Sequence, residues 1–191
     1  MNYAILGEDS SDTATLAVLV RRLYAIKYPT RKVVPVVQRG YSGWAQLCRK
    51  GAREISALHK LGWRRFVVCI DADGVNPKPR YDKAYTSIVR KAKVPKTWLI
   101  IVPVQELEAW ILADIEQVSN IIPSWHPVPI TNPKGIASPK EHLRRLSRDP
   151  VNKYIRYKEA KDNPRMANHL RIEIVASKCR SFRSLIAFVR S

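Results

Sequence analysis

Phe66-Val67-Val68-Cys69-Ile70-Asp71-Ala72-Asp73-Gly74 is an apolar run, rich in β-branched side chains, that ends abruptly on two carboxylates and a glycine. A short continuous apolar run bounded by turn residues fits a strand buried on both faces of a parallel sheet. Its neighbours repeat the theme. Tyr3 to Leu6 forms an earlier apolar run ending on Gly7-Glu8, and Trp98 to Val102 a later one followed by Glu106 and Glu108. Val33 to Val37 supplies one more expected strand. Between these runs lie stretches with helical spacing. Leu16, Leu19, Val20 and Leu23 follow Ser10 and Ser11, either able to cap a helix, and Trp44, Leu47, Ile55, Leu58 and Leu61 precede a stop at Gly62. Tyr81 to Lys93 and Glu106 to Asp114 also read as helices. Strands alternating with helices predict an α/β fold, a mostly parallel four-stranded sheet of Rossmann-like type flanked by helices.

From Pro123 to Pro139 the composition shifts to Pro, Ser, Thr and Gly, which reads as a surface loop. Beyond it the chain is basic and helical, with Leu143 and Leu146, then Leu170, Ile174 and Val175, then Leu185, Ile186 and Val189 marking three helices. The expected organisation is an α/β core over 1–122 and a Pro-rich loop with a basic helical extension over 123–191, packed together as one structural domain. A length of 191 residues suits one core and no second.

With 34 Lys and Arg against 16 Asp and Glu, the net charge of +18 favours a polyanionic partner through counterion release. Nucleic acid, DNA or RNA, leads over an anionic membrane surface. No apolar run reaches the roughly 18 residues of a spanning helix, and Met1 to Glu8 lacks the pattern of a leader, so a cytoplasmic protein without membrane attachment is expected. Cys48, Cys69 and Cys179 are odd in number and widely spaced, and His59, His126, His142 and His169 are scattered, so neither disulfides nor a zinc site is indicated.

The acids at the strand ends are the informative constellation. In a doubly wound sheet the carboxyl ends of parallel strands open onto one crevice, where Glu8, Asp71 and Asp73 would meet. Residues two apart on an extended segment point the same way, so Asp71 and Asp73 can serve one Mg²⁺ (or Mn²⁺), a hard ion that wants oxygen ligands. Glu106 and Glu108 are candidates to complete a second ion or position a water. Asp9 and Asp12 read as solvated turn residues or helix caps, and Asp114 is balanced between a role in the site and a plain ion pair with a Lys or Arg. An Asp-x-Asp after a strand also serves phosphatases that form an aspartyl phosphate, which keeps phosphoryl transfer open.

Gly7-Glu8 and Cys69-Ile70-Asp71-Ala72-Asp73-Gly74 resemble the TOPRIM domain shared by topoisomerases, bacterial primases and the overcoming-lysogenization-defect nucleases. More specific is Val104-Gln105-Glu106-Leu107-Glu108-Ala109-Trp110-Ile111-Leu112-Ala113-Asp114, which resembles the HEFEALLFSD signature of a TOPRIM-like family catalogued as domain of unknown function 4276 (DUF4276). Asn132-Pro133, Ser138-Pro139-Lys140, Tyr157-Lys158 and Ser181-Phe182-Arg183 echo its second half. The resemblance implies a TOPRIM-like fold and a metal-dependent nuclease linked, by analogy with its relatives, to anti-phage defence or a toxin system. Glu8 would be general acid/base or metal ligand, Asp71 and Asp73 metal ligands, and Glu106 and Glu108 auxiliary ligands. Gln105 stands where the family has His and cannot transfer a proton; Trp110 replaces an aliphatic residue. No Walker A motif is present, so an ATP-driven step would come from a partner ATPase or another defence-system subunit.

Arg39, Lys134, Lys140, Arg144, Arg145, Lys158 and Lys161 are the candidate phosphate contacts, which would position nucleic acid without reading it. Lys158, beside Tyr157, is the preferred individual. Tyr41, Trp44 and Trp125 are candidate stacking platforms, though packing is the commoner use of such residues. The leading expectation is thus a Mg²⁺-dependent nuclease on DNA or RNA. The alternative is a non-catalytic nucleic-acid-binding or adaptor subunit of a larger complex.

Overall fold

The computed structural model describes residues 1–191 except 32, 73, 75, 96 and 105. Its centre is a parallel sheet in the order β2-β1-β3-β4, formed by β1 (Tyr3–Gly7), β2 (Val36–Gly40), β3 (Arg65–Cys69) and β4 (Trp98–Ile101). The side-chain period of two divides β1 cleanly. Tyr3 and Ile5 face one layer of helices, and Ala4 and Leu6 the other. The chain leaves β1 in one direction to reach β2 and returns past β1 to reach β3. The intervening helices α1 (Ser10–Lys27) and α2 (Trp44–Lys60) therefore lie on opposite faces, and the reversal sits between β1 and β3.

The second strand starts later than its sequence suggests. Val33 is exposed, and Pro35, lacking an N–H, offers only its carbonyl to the Tyr3 N–H at 3.0 Å, so the ladder proper begins at Val36. At its far end, a Cβ on Gly40 would lie 2.6 Å from the backbone nitrogen of Ser10, so β2 ends tight against the start of α1. Gly43, at φ +87°, then turns the chain into α2.

The α2 face of the sheet is completed by α3 (Lys78–Ala84), which runs through a π-helical turn (Tyr85–Val89) into α4 (Arg90–Ala92). This segment begins three residues before the expected Tyr81, with Pro79 in the first turn where a missing N–H costs nothing. On the other face, α5 (Glu108–Ala113) follows β4. After it, residues 123–138 are irregular but for a single 3₁₀ turn at Pro133–Gly135.

The basic extension forms α6 (Pro139–Leu146), α7 (Glu159–Ala167), α8 (Ile172–Lys178) and α9 (Arg180–Arg190). Sequence spacing anticipates α6, α8 and α9 but not α7. Of these, α7 and α9 pack on α1, which is why α1 is buried on most sides, with Thr13, Thr15, Leu16, Ala17, Leu19, Val20 and Leu23 all sealed. One apolar cluster runs without a break from Tyr3 and Leu16 to Met166, Phe182 and Val189. Arg22 donates from α1 to the carbonyls of Ala167 and Leu170, and Arg65 donates to the Phe188 carbonyl, so polar bonds join the same layers. Among the described residues no helix is long and apolar enough to cross a membrane.

Candidate active site

Gly7 and Cys69 end β1 and β3 in register, so the residues that follow emerge side by side at the reversal of strand order. Glu8 Oε1 accepts a hydrogen bond from the Asp71 backbone N–H at 3.2 Å. The expected meeting of the first and third strand ends is therefore realised for Glu8 and Asp71; Asp73 and Gln105 lie outside the described residues. Asp71 is half-buried, and its Oδ1 is sealed from solvent with no hydrogen-bond partner among the described residues. A buried acceptor without a donor is rare in a native protein and points to an ion, a water or a substrate.

Further carboxylates press on this point. Asp9 caps α1, its Oδ1 accepting the Asp12 N–H at 2.8 Å, which is the ordinary cap role expected of it. Asp12 is a different matter. Expected to be a solvated turn residue or a helix cap, it is buried in the first turn of α1, and desolvation, followed by the charges of Asp9, Glu108 and Glu8, pushes its pKa up to about 8. Asp71 is pushed well above the usual carboxylate range by burial first and then by Asp12, Glu108, Glu8 and Glu106. Glu108, also buried, is raised by desolvation, a shift that the hydrogen bond from Asn163 opposes. The crevice is thus a cluster of carboxyl groups whose burial and mutual repulsion favour their protonated forms.

Two carboxylates are held from the extension. Glu106 Oε2 accepts the backbone N–H of Lys140 at 2.8 Å, so it caps the first turn of α6 from across the crevice. Glu108 Oε1 accepts the Asn163 side-chain amide at 2.9 Å, and the Asn163 carbonyl oxygen accepts the Tyr157 hydroxyl. Lys140 reaches Glu159 at 3.3 Å. Desolvation lowers its pKa, but Glu159, Glu108 and Asp9 outweigh that and the net shift is upward. Glu159 and Asn163 stand four apart on α7, so one helix face serves both contacts. Asp114, by contrast, is fully buried in an ion pair: Oδ1 accepts the Arg171 Nε at 2.9 Å and Oδ2 its backbone N–H at 2.6 Å. It belongs to the packing of α8.

The candidate basic residues divide. Arg144, Lys158 and Glu159 border one shallow cleft, and Lys140 joins that cleft to the acids through Glu159. Arg145, with its guanidinium 2.7 Å from His142 Nδ1, lies with Arg144 and Arg148 along a second cleft on α6. Lys161 is exposed on α7. Lys134 stands instead at a separate cavity, and Arg39 is paired with Glu54 at 2.6 Å on the edge of the sheet. Of the aromatic candidates, Trp125 is buried edge-on against Tyr157, which removes it as a stacking platform. Trp44 is half-buried with the Arg80 guanidinium 5.2 Å from its ring centre.

Sequence spacing passed over Asp12 and Asn163. The signal for Asp12 was its place in the first turn of a helix with few solvent-facing positions. The signal for Asn163 was its i, i+4 relation to Glu159, hidden because Pro164 disguises α7. Among the described residues no three His, Cys, Asp or Glu side chains close around a single metal position. No curated protein and no solved structure matches the chain. The family model described as a domain of unknown function, DUF4276, matches residues 8–190, a span that takes in the crevice acids and the extension that caps them, and the chain therefore belongs to the DUF4276 family.

Proposed function

We propose that the protein is a Mg²⁺-dependent nuclease of TOPRIM-like type that hydrolyses phosphodiester bonds in DNA or RNA. The observation that carries this reading is the crowding of Glu8, Asp12, Asp71 and Glu108 beyond the carboxyl ends of β1, β3 and β4, with the Asp71 Oδ1 sealed and without a partner among the described residues. Carboxylates kept together despite their repulsion fit a hard divalent cation, whose charge offsets the repulsion and whose preferred ligands are oxygens. Asp71 and Asp73 would hold the ion, Glu106 and Glu108 are auxiliary, and Glu8 is left as the general base. When bound, Mg²⁺ supplies positive charge and Lewis acidity to a phosphodiester at the crevice. Glu8, oriented by the Asp71 N–H, takes a proton from the attacking water. One P–O bond forms to that water, one ester P–O bond breaks, and the leaving oxygen takes a proton from solvent. Lys140 brings a cation beside the crevice, and Arg144 and Lys158 continue the positive surface along which a phosphate backbone would lie.

The test is cleavage of plasmid, single-stranded DNA and RNA with Mg²⁺, Mn²⁺ or EDTA by the wild type, Asp71→Asn and Glu8→Gln. Metal-dependent cleavage should fall by about 10²-fold or more in Glu8→Gln, the range of a lost general base, and disappear in Asp71→Asn. Binding without cleavage in all three proteins would refute the nuclease and favour the adaptor.

A further inference from the structure

β4 forms one border of the sheet, and its outer edge opens into a cavity of about 340 Å³. The Phe66, Ile70 and Ala72 N–H groups bond to the carbonyls of Thr97, Ile101 and Pro103, which fixes the register. The odd-numbered residues of this segment therefore address β3, while Ile100 and Val102 turn their N–H and C=O groups away from it. Both residues line the cavity, and no described residue is seen to bond those outward groups. Opposite them stand Tyr81 of α3 and Ser181 and Ser184 of α9. The floor is fixed in place. Trp110 packs edge-on against Phe182 at 5.0 Å and donates its indole N–H to Ser181 Oγ at 3.0 Å. Lys134 and Arg180 stand exposed at the rim.

Each feature narrows the occupant. A purely apolar ligand would strip water from the outward backbone groups of Ile100 and Val102 and return nothing, a loss of about 1–3 kcal/mol per group. An added peptide strand has little room, because Tyr85 covers Trp98 at the start of β4 with ring centres 5.7 Å apart, and α3 and α9 flank the edge. A flat heteroaromatic ring fits between aromatic and aliphatic walls, and its donor and acceptor edge matches adjacent backbone N–H and C=O groups. The cavity volume falls in the range of small-molecule sites. The rim cations add a preference for an anionic substituent. We infer that the cavity at the outer edge of β4 binds a nucleotide unit, its base against Ile100 and Val102 and its phosphate at Lys134 and Arg180. The assignment does not rest on metal binding or on cleavage, since none of these residues belongs to the carboxylate crevice.

The experiment is titration calorimetry in EDTA with the four ribonucleoside monophosphates, inorganic phosphate and a short single-stranded oligonucleotide. The proteins are the wild type, Ser184→Phe to fill the mouth, Lys134→Ala to remove rim charge, and Asp71→Asn. At least one monophosphate should bind with inorganic phosphate weaker by about ten-fold or more, a difference of about 1.4 kcal/mol. Ser184→Phe and Lys134→Ala should each weaken binding by about ten-fold, and Asp71→Asn should leave it unchanged. Binding of the oligonucleotide alone, with the same loss in both variants, supports the base site and identifies a strand as its source. Equal binding of inorganic phosphate, indifference to both variants, or no binding at all would overturn the inference.

Discussion

Replacing Asp12 by Asn should stabilise the protein, and increasingly so as pH rises. Asp12 has an ordinary value of 3.8 and a folded value of about 8. Below pH 3.8 the carboxyl is protonated whether or not the chain is folded, and its contribution to stability is fully present. Between 3.8 and about 8 the unfolded chain releases the proton while the folded chain keeps it, so stability falls as pH rises. Each unit in that window costs about 1.4 kcal/mol. At pH 7 the ceiling is therefore about 4 kcal/mol, and at pH 5 about 2 kcal/mol. The realised gain is smaller because Asp71 and Glu108 share the same repulsion and an Asn amide must also be accommodated, so about 1–3 kcal/mol at pH 7 is expected. Urea denaturation followed by circular dichroism, in EDTA at pH 4.5, 6 and 7.5, measures it. The gap between variant and wild type should widen across the series, and Mg²⁺ should close part of it by stabilising the wild type more. A variant equal to or less stable than wild type at every pH would refute the picture of mutually repelling buried carboxylates.

Asn163→Ala removes the donor to Glu108 and the acceptor of Tyr157, and should cost about 1–3 kcal/mol, checked by urea denaturation. Gly40→Ala forces a methyl group against the Ser10 backbone and should destabilise by about 1–3 kcal/mol, seen as a lowered melting temperature. If the extension carries phosphate contacts, the Arg144→Ala, Lys158→Ala double variant should weaken binding to unrelated nucleic-acid sequences alike. Its plot of log affinity against log salt should be shallower by about 2, measured by fluorescence anisotropy.

The strands β1, β3 and β4 and the helices α1 and α2 were readable because apolar run length and helical spacing report burial directly. The position of β2 was not, because Pro35 interrupts an apolar stretch that continues on both sides, and the carbonyl of that proline still pairs while its nitrogen does not. The convergence of Glu8 and Asp71 was legible from parallel topology alone, since it needs only that strand ends share one border. The charge state of Asp12 was not. An acid in a first helical turn ordinarily sits in water beside the helix dipole, and the burial of this one comes from tertiary packing that spacing does not report. Asn163 was lost with α7 itself, whose internal Pro164 argues against a helix although its tertiary contacts hold one. The pairing of Asp114 with Arg171 joins residues distant in sequence, and spacing can suggest an ion pair there without choosing the partner.

Glu106 capping α6 and Asn163 holding Glu108 make the acidic crevice and the basic extension mutually dependent. The break in composition near residue 123 is therefore not a seam along which the crevice could be cut out intact and transplanted. A chain ended there would lose the helices that seal α1 and leave two carboxylates without the donors that place them. Change in the extension is likewise not confined to whatever surface it presents. A substitution on α6 or α7 would also retune the electrostatics of the crevice, so the surface of the extension and the charge state of the crevice acids are free to evolve only together.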